Sequence, residues 1–174
     1  KEVRTAPRLA GGLNWLATRT RPDIAFIVSQ LSSAATQAPR RAIALGKRTL
    51  RYLAGTREHG IQLEPRAGDG SDVIRSERSG GTPVLQGFGD ASYEEGWAQT
   101  GVLIKYRGML VSWKSTKQPQ VPRSTAEAEC TAMAYAAQYL EGIEALMIDL
   151  KLQAGKPMLY CDNRAAVHLS AGSS

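Results

Sequence analysis

Cysteine is scarce in this chain: Cys130 and Cys161 are the only two among 174 residues. They form no Cys-x-x-Cys pair and give little framework for a secreted, disulfide-built domain. Histidine is equally sparse, and His59 and His168 lie far apart, which argues against a Cys/His zinc site. No apolar run approaches the ~18 residues of a membrane span. The N-terminal stretch is basic and polar, without the apolar core of a signal peptide. These absences point to an intracellular, reduced protein. Hydrophobic residues make up 43% of the chain, enough for one sizeable core or for a small domain with a helical annex.

Charge is present but unevenly spread. Residues 1–57 hold eleven Lys/Arg against Glu2 and Asp23, a net +9, and residues 58–174 hold eleven against fourteen acids, a net −3. A basic half joined to a mildly acidic half fits a nucleic-acid grip beside a carboxylate site. Basic helices that are merely well solvated would carry the same signal.

The first half reads as helical. "LAGGLNWLAT" (9–18) sets Leu9, Leu13, Leu16 and Ala17 at helical spacing, weakened by Gly11 and Gly12. After Pro22 and Asp23, which suit a helix start, Ile24, Ile27, Val28, Leu31 and Ala35 form one apolar stripe. A third helix follows Pro39, with Ile43, Leu50, Leu53 and Ala54 as its apolar positions and Gly55 as its end. Its other faces carry Arg41, Lys47, Arg48 and Arg51, candidates for gripping a nucleic-acid backbone. "IQLE" (61–64) reads as a short strand. Residues 65–82, rich in Gly, Ser and charge, read as a linker, so residues 1–64 form a helical segment and 83–174 a second domain.

The second domain reads as strands first. "PVLQGFGD" (83–90) ends on Asp90, and residues 100–115 form two β runs around Arg107-Gly108, a hairpin turn. A long helix spans about 124–152, "MLYCDN" (158–163) is a short strand ending on Asp162, and "NRAAVHLSAG" reads as a final helix. The order β-β-β-α-β-α predicts an α/β fold with a mixed sheet, the long helix carrying the chain to a parallel last strand.

Three acids stand where such sheets gather their sites: Asp90, Glu129 and Asp162. The stretch "STAEAEC" (124–130) holds two glutamates, but two residues turn a helix by roughly 200°, so they face opposite ways. Glu129 shares a side with Ala132, Met133, Ala136, Leu140, Ile143 and Met147, a stripe suited to packing on a sheet. Glu127 shares the wetter side. A sheet-facing acid without a partner costs several kcal/mol, and a cation offsets that cost. Oxygen ligands without histidine favour magnesium or manganese. Taken singly, Asp162 also reads as an N-cap and Asp90 as a turn residue.

The motifs "GFGDASY", "VSWKSTKQ", "STAEAEC" and "MLYCDN" together resemble the ribonuclease H domain of copia-type retrotransposon Pol polyproteins. The segment "LAGGLNWLATRTRPDIAFIVSQLS…KRTLRYLAGTREHGI" is similar to the reverse-transcriptase tail that precedes that domain. The resemblance implies a ribonuclease H-like sheet and cleavage of the RNA strand of an RNA–DNA hybrid by two divalent ions, Mg²⁺ or Mn²⁺. It implies Asp90, Glu129 and Asp162 as catalytic acids and metal ligands. Ser92, Lys114, Ser124 and Asn163 follow as substrate-contact candidates. The partners implied are the hybrid and the reverse-transcriptase polymerase domain of the same polyprotein, in a cytoplasmic virus-like particle or the nucleus, with no membrane. The family pattern continues past the "CDN" helix with a fifth strand, a further helix, a fourth acid and often a histidine. The 174 residues stop at Ser174, before these. A catalytically inactive, nucleic-acid-binding or structural module from a truncated copy is therefore the alternative. An integrase-like strand transferase stands well behind, because its acids run Asp, Asp, Glu.

Overall fold

The computed structural model describes residues 2–63, 85–94, 96–152 and 156–162. The chain divides into two compact units, one built on residues 2–61 together with Lys114–Thr116 and one on the remaining described residues from Gln62 onward.

The first unit is three helices: α1 (Glu2–Arg19), α2 (Ala25–Gln37) and α3 (Pro39–Gly55), with one 3-10 turn at Pro22–Ile24. α1 begins well before the expected Leu9 and carries Pro7 inside it. Its buried positions are Ala6, Ala10, Leu13 and Ala17, one every third or fourth residue, with Leu9 and Leu16 at the margin. α2 buries Val28, Leu31 and Ala35 against them. α3 departs from expectation. Its inward residues are the small Ala42, Gly46 and Thr49, while Leu50 is left 47% exposed. Crowding is the reason: a Cβ on Gly46 would collide with the Leu9 side chain and press on Leu31. Three helices meeting this closely take small residues at the contact. Of the expected apolar positions, Ile43 and Leu53 pack at the margin of this core, while Leu50 and Ala54 are exposed. Arg21 is buried and locks the α1–α2 corner. It forms an ion pair with Asp23 at 2.7 Å and donates to the Thr56 carbonyl and hydroxyl at 3.0 and 2.7 Å. Tyr52 donates to the same Asp23 carboxylate at 2.9 Å. Residues 61–63 are not a strand.

The second unit is a four-stranded mixed sheet with one long helix on it. The strands are β1 (Leu85–Glu94), β2 (Trp97–Tyr106), β3 (Met109–Lys117) and β4 (Met158–Tyr160), in the spatial order β3-β2-β1-β4. β2 and β3 join through Arg107 and Gly108, whose φ angles of 49° and 81° are what a two-residue type I′ turn requires. β1 runs antiparallel to β2 and parallel to β4, with Gln86, Gly87 and Phe88 beside Met158, Leu159 and Tyr160. Phe88 and Tyr160 stack across that pair, ring centroids 5.1 Å apart. The final helix expected after Asp162 and the 65–82 linker both fall outside the described residues.

Helix α4 (Thr125–Asp149) supplies the crossover and buries Ala128, Ala132, Ala136, Leu140 and Met147. Met133 and Ile143 sit at the margin of this stripe. The helix lies close to the sheet because β1 offers it glycine at alternate positions. A Cβ on Gly87 would press on Leu140 and Leu159, and one on Gly89 would come within 3.0 Å of both the Ala132 carbonyl oxygen and the Ala136 Cβ. The carbonyl belongs to the helix backbone and cannot swing aside. Replacing Gly89 by Val should therefore destabilise the sheet unit by about 2–3 kcal/mol, as overpacking does. Urea denaturation followed by far-ultraviolet circular dichroism measures this, and an unchanged midpoint would contradict so close a helix–sheet approach.

Candidate metal centre

The start of α4 sorts its two glutamates by hydrogen bonding. Ser124 is the N-cap, its hydroxyl accepting from the Glu127 N–H at 3.2 Å. The Glu127 carboxylate turns back to accept from the Arg123 N–H at 2.6 Å and is exposed. This is a variant of the Ser-x-x-Glu capping box in which the glutamate reaches the N–H of the residue before the N-cap, and it uses both side chains locally.

Glu129 points the other way, toward β1, and is half-buried. One carboxylate oxygen accepts from the Ala91 N–H at 3.2 Å. Among the described residues β4 ends at Tyr160, opposite Phe88, and β1 runs on past it with no ladder partner on that side, which leaves this N–H to the carboxylate. Asp90 accordingly lies inside β1 rather than at its end, paired across β2 with Gly101. The parallel ladder ends at Phe88 and Tyr160, two residues short of Asp90 and Asp162. The charges of both aspartates nonetheless reach Glu129. Both are exposed.

The oxygens of Glu129 and Asp162 and the Cys161 sulfur lie within 4.8 Å of one another. Burial raises the Glu129 carboxyl above its ordinary range, and the charges of Asp90 and Asp162 raise it further, against the opposing Ala91 hydrogen bond. An acid that is partly buried, faces two like charges and has one N–H as compensation has the electrostatics of a cation site. Carboxylate oxygens at this spacing fit Mg²⁺ or Mn²⁺, with the Cys161 thiol as a softer neighbour.

Ser92 is exposed two residues beyond Asp90, on the same face of β1. Lys114 is exposed on β3, with β2 between it and β1. Asn163 lies outside the described residues. Arg41, Lys47, Arg48 and Arg51 belong to the helical unit, all exposed on the side of α3 away from Ala42, Gly46 and Thr49. α3 contains no acid, and Arg40 beside that stripe pairs with Glu2 at 3.1 Å, both side chains well exposed. Reading the sequence for acids alone passed over Cys161, the Ala91 N–H and the Ser124–Glu127 cap. The Ser-x-x-Glu spacing signals the last of these.

A helix laid on a mixed sheet, with acids on β1, near the start of α4 and just beyond β4, defines an α/β module with a carboxylate-rich centre. The chain is 34% identical over 168 residues to the "Retrovirus-related Pol polyprotein from transposon RE1" of Arabidopsis thaliana and equally to that from transposon RE2. It is 35% identical over 143 residues to "Secreted RxLR effector protein 161" of Plasmopara viticola. The match takes in 94% of this chain but 10% of each Pol polyprotein, and 78% of this chain and 90% of the effector protein. The chain belongs to the sequence family that these retrovirus-related Pol polyproteins and the effector protein share, and it corresponds to a portion of the polyproteins. No protein-family model matches it, and no solved structure matches it significantly.

The raised Glu129 carboxyl fixes the sign of a pH effect. The folded chain holds this proton more tightly than the unfolded one. Its contribution to stability is therefore greatest below the ordinary glutamate range and is lost as pH rises through the raised value. Without divalent ions, Glu129→Gln should melt at a higher temperature than the parent at pH 7–8. The difference should vanish near pH ~4, about the free glutamate value. Differential scanning fluorimetry across pH checks this, and a gain that persists in acid would assign the effect to packing rather than charge.

Proposed function

We propose that this chain is a ribonuclease H-type endonuclease module of a retroelement Pol polyprotein, hydrolysing the RNA strand of an RNA–DNA hybrid. The observation that carries the reading is Glu129, held at the Ala91 N–H beside Asp90 and Asp162, in the order acid on strand, acid on helix, acid after strand. Two divalent ions, magnesium or manganese, would be held by these three carboxylates and would activate water and stabilise the leaving oxygen of the phosphodiester. β1 carries Asp90, Asp162 follows the neighbouring β4, and α4 brings Glu129 to the Ala91 N–H.

Ser92, exposed beside Asp90, is placed to meet the sugar–phosphate backbone, where ribose 2′-hydroxyls distinguish RNA from DNA. The Ser124 hydroxyl is committed to capping α4, which makes it the weaker substrate contact. The α3 stripe of Arg41, Lys47, Arg48 and Arg51 grips phosphates without reading bases. The reverse-transcriptase polymerase portion of a parent polyprotein is the natural neighbour in the same chain.

A labelled hybrid incubated with the chain in Mg²⁺ or Mn²⁺ tests the reading. Asp162→Asn should lower cleavage by at least about 100-fold, the scale of losing several kcal/mol of metal-dependent stabilisation. Glu127→Gln should cost some helix stability yet leave most of the rate per folded molecule. No cleavage and no divalent-ion effect on melting would favour an inactive binding or structural module.

The grip has its own test in hybrid binding at graded salt. Neutralising Arg41, Lys47, Arg48 and Arg51 together should reduce the slope of log affinity against log salt by about 3–4. An unchanged slope would remove α3 from the interface.

A further inference from the structure

Gln118 belongs to none of the groups described so far. It follows β3 directly and is 4% exposed. Its backbone N–H donates to the Ala98 carbonyl at 2.8 Å and extends the ladder onto β2 by one step. Its side-chain nitrogen donates to the Thr100 hydroxyl at 3.0 Å and to the Ala128 carbonyl at 2.9 Å. A carbonyl only accepts, so it fixes which end of the carboxamide is nitrogen, and both amide hydrogens are then in use.

The two acceptors have a particular relation to Glu129. Ala128 is the residue before it. Thr100 is the cross-strand partner of Ala91, whose N–H the Glu129 carboxylate accepts. Two consecutive helix residues are thus tied to two residues paired across β1 and β2: Ala128 through Gln118 to Thr100, and Glu129 directly to Ala91. The apolar contact along this part of α4 is made by Ala128, Ala132 and Ala136. Side chains that small form shallow ridges and resist sliding or rotation poorly. A polar pin at the first turn supplies the constraint that alanines lack.

We infer that Gln118 is a positioning residue that seats the Glu129 carboxylate, and through it the affinity of the acidic centre for divalent ions. The inference builds on the proposed metal-dependent nuclease and adds the device that sets the geometry of its helix-borne acid. Gln118 touches no substrate. It works through the Ala128 carbonyl and the Thr100 hydroxyl.

Two variants test it. Gln118→Leu keeps the approximate volume and removes both donors. Gln118→Glu keeps the shape and, when ionised, cannot donate. Leu140→Ala, in the core further along α4, serves as a control for lost stability. Three quantities are read in the full chain: Mn²⁺ affinity from the spin-resonance signal of free Mn²⁺, hydrogen exchange at the Ala91 amide, and kcat and KM on a labelled hybrid. Both Gln118 variants should bind Mn²⁺ about 10–100-fold more weakly, the scale seen when a group supporting a metal ligand is lost. Ala91 should exchange faster relative to its β1 neighbours, and kcat should fall with KM for the hybrid unchanged. Leu140→Ala should lower the melting temperature and leave Mn²⁺ affinity as it was.

Gln118 variants that keep both parental Mn²⁺ affinity and parental Ala91 exchange would overturn the inference. So would a loss of Mn²⁺ affinity matched by Leu140→Ala at equal melting temperature. If the unmutated chain neither binds Mn²⁺ nor cleaves the hybrid, the nuclease reading falls. Ala91 exchange then still decides whether Gln118 seats Glu129. Faster exchange in both Gln118 variants supports the seating, and unchanged exchange refutes it.

Discussion

Glu129 faces a sheet that gives it one N–H and two like charges. That arrangement exists only because α4 can lie close to β1, and the approach depends on glycine at 87 and 89. Side chains at those positions would lift the helix, and Glu129 would lose its reach to Ala91. The early end of β4 matters as much. Had β4 continued beside β1, the Ala91 N–H would have had a ladder partner. One short strand and two glycines therefore create the place where a carboxylate is held against its electrostatic preference.

Much of this was legible in the sequence. The 200° between Glu127 and Glu129 separates them without any coordinates, and the Arg107-Gly108 turn announces the hairpin. The parallel β1–β4 pair was likewise expected from the long helical connection. Other features escaped for identifiable reasons. Asp90 read as a strand end because its apolar run stops there, yet β1 continues to Glu94 on ladder bonds to β2, which need no apolar side chains. The inward face of α3 was half read: Ile43 and Leu53 do pack on the core, but its centre is the small Ala42, Gly46 and Thr49, which a search for large aliphatics passes over. Gln118 was part of a recognised motif without a role, since nothing local says that its carboxamide will meet a carbonyl ten residues further on.

The two units use charge in different ways. In the helical unit one buried arginine, Arg21, is matched by Asp23 and two oxygens of Thr56, and the remaining cations are spread over the surface. In the sheet unit Glu129 is set near the like charges of Asp90 and Asp162, at a cost that a bound cation would relieve. Homology to portions of transposon Pol polyproteins places both patterns in one retroelement-derived family.

The central claim is that Glu129, Asp90 and Asp162 form one cation site. Anomalous diffraction from crystals soaked in Mn²⁺ tests it most directly. The account predicts an anomalous peak bounded by the carboxylates of Glu129, Asp162 and Asp90, with Glu129 still near the Ala91 N–H. Bound Mn²⁺ elsewhere, with no peak among these three acids, would contradict it.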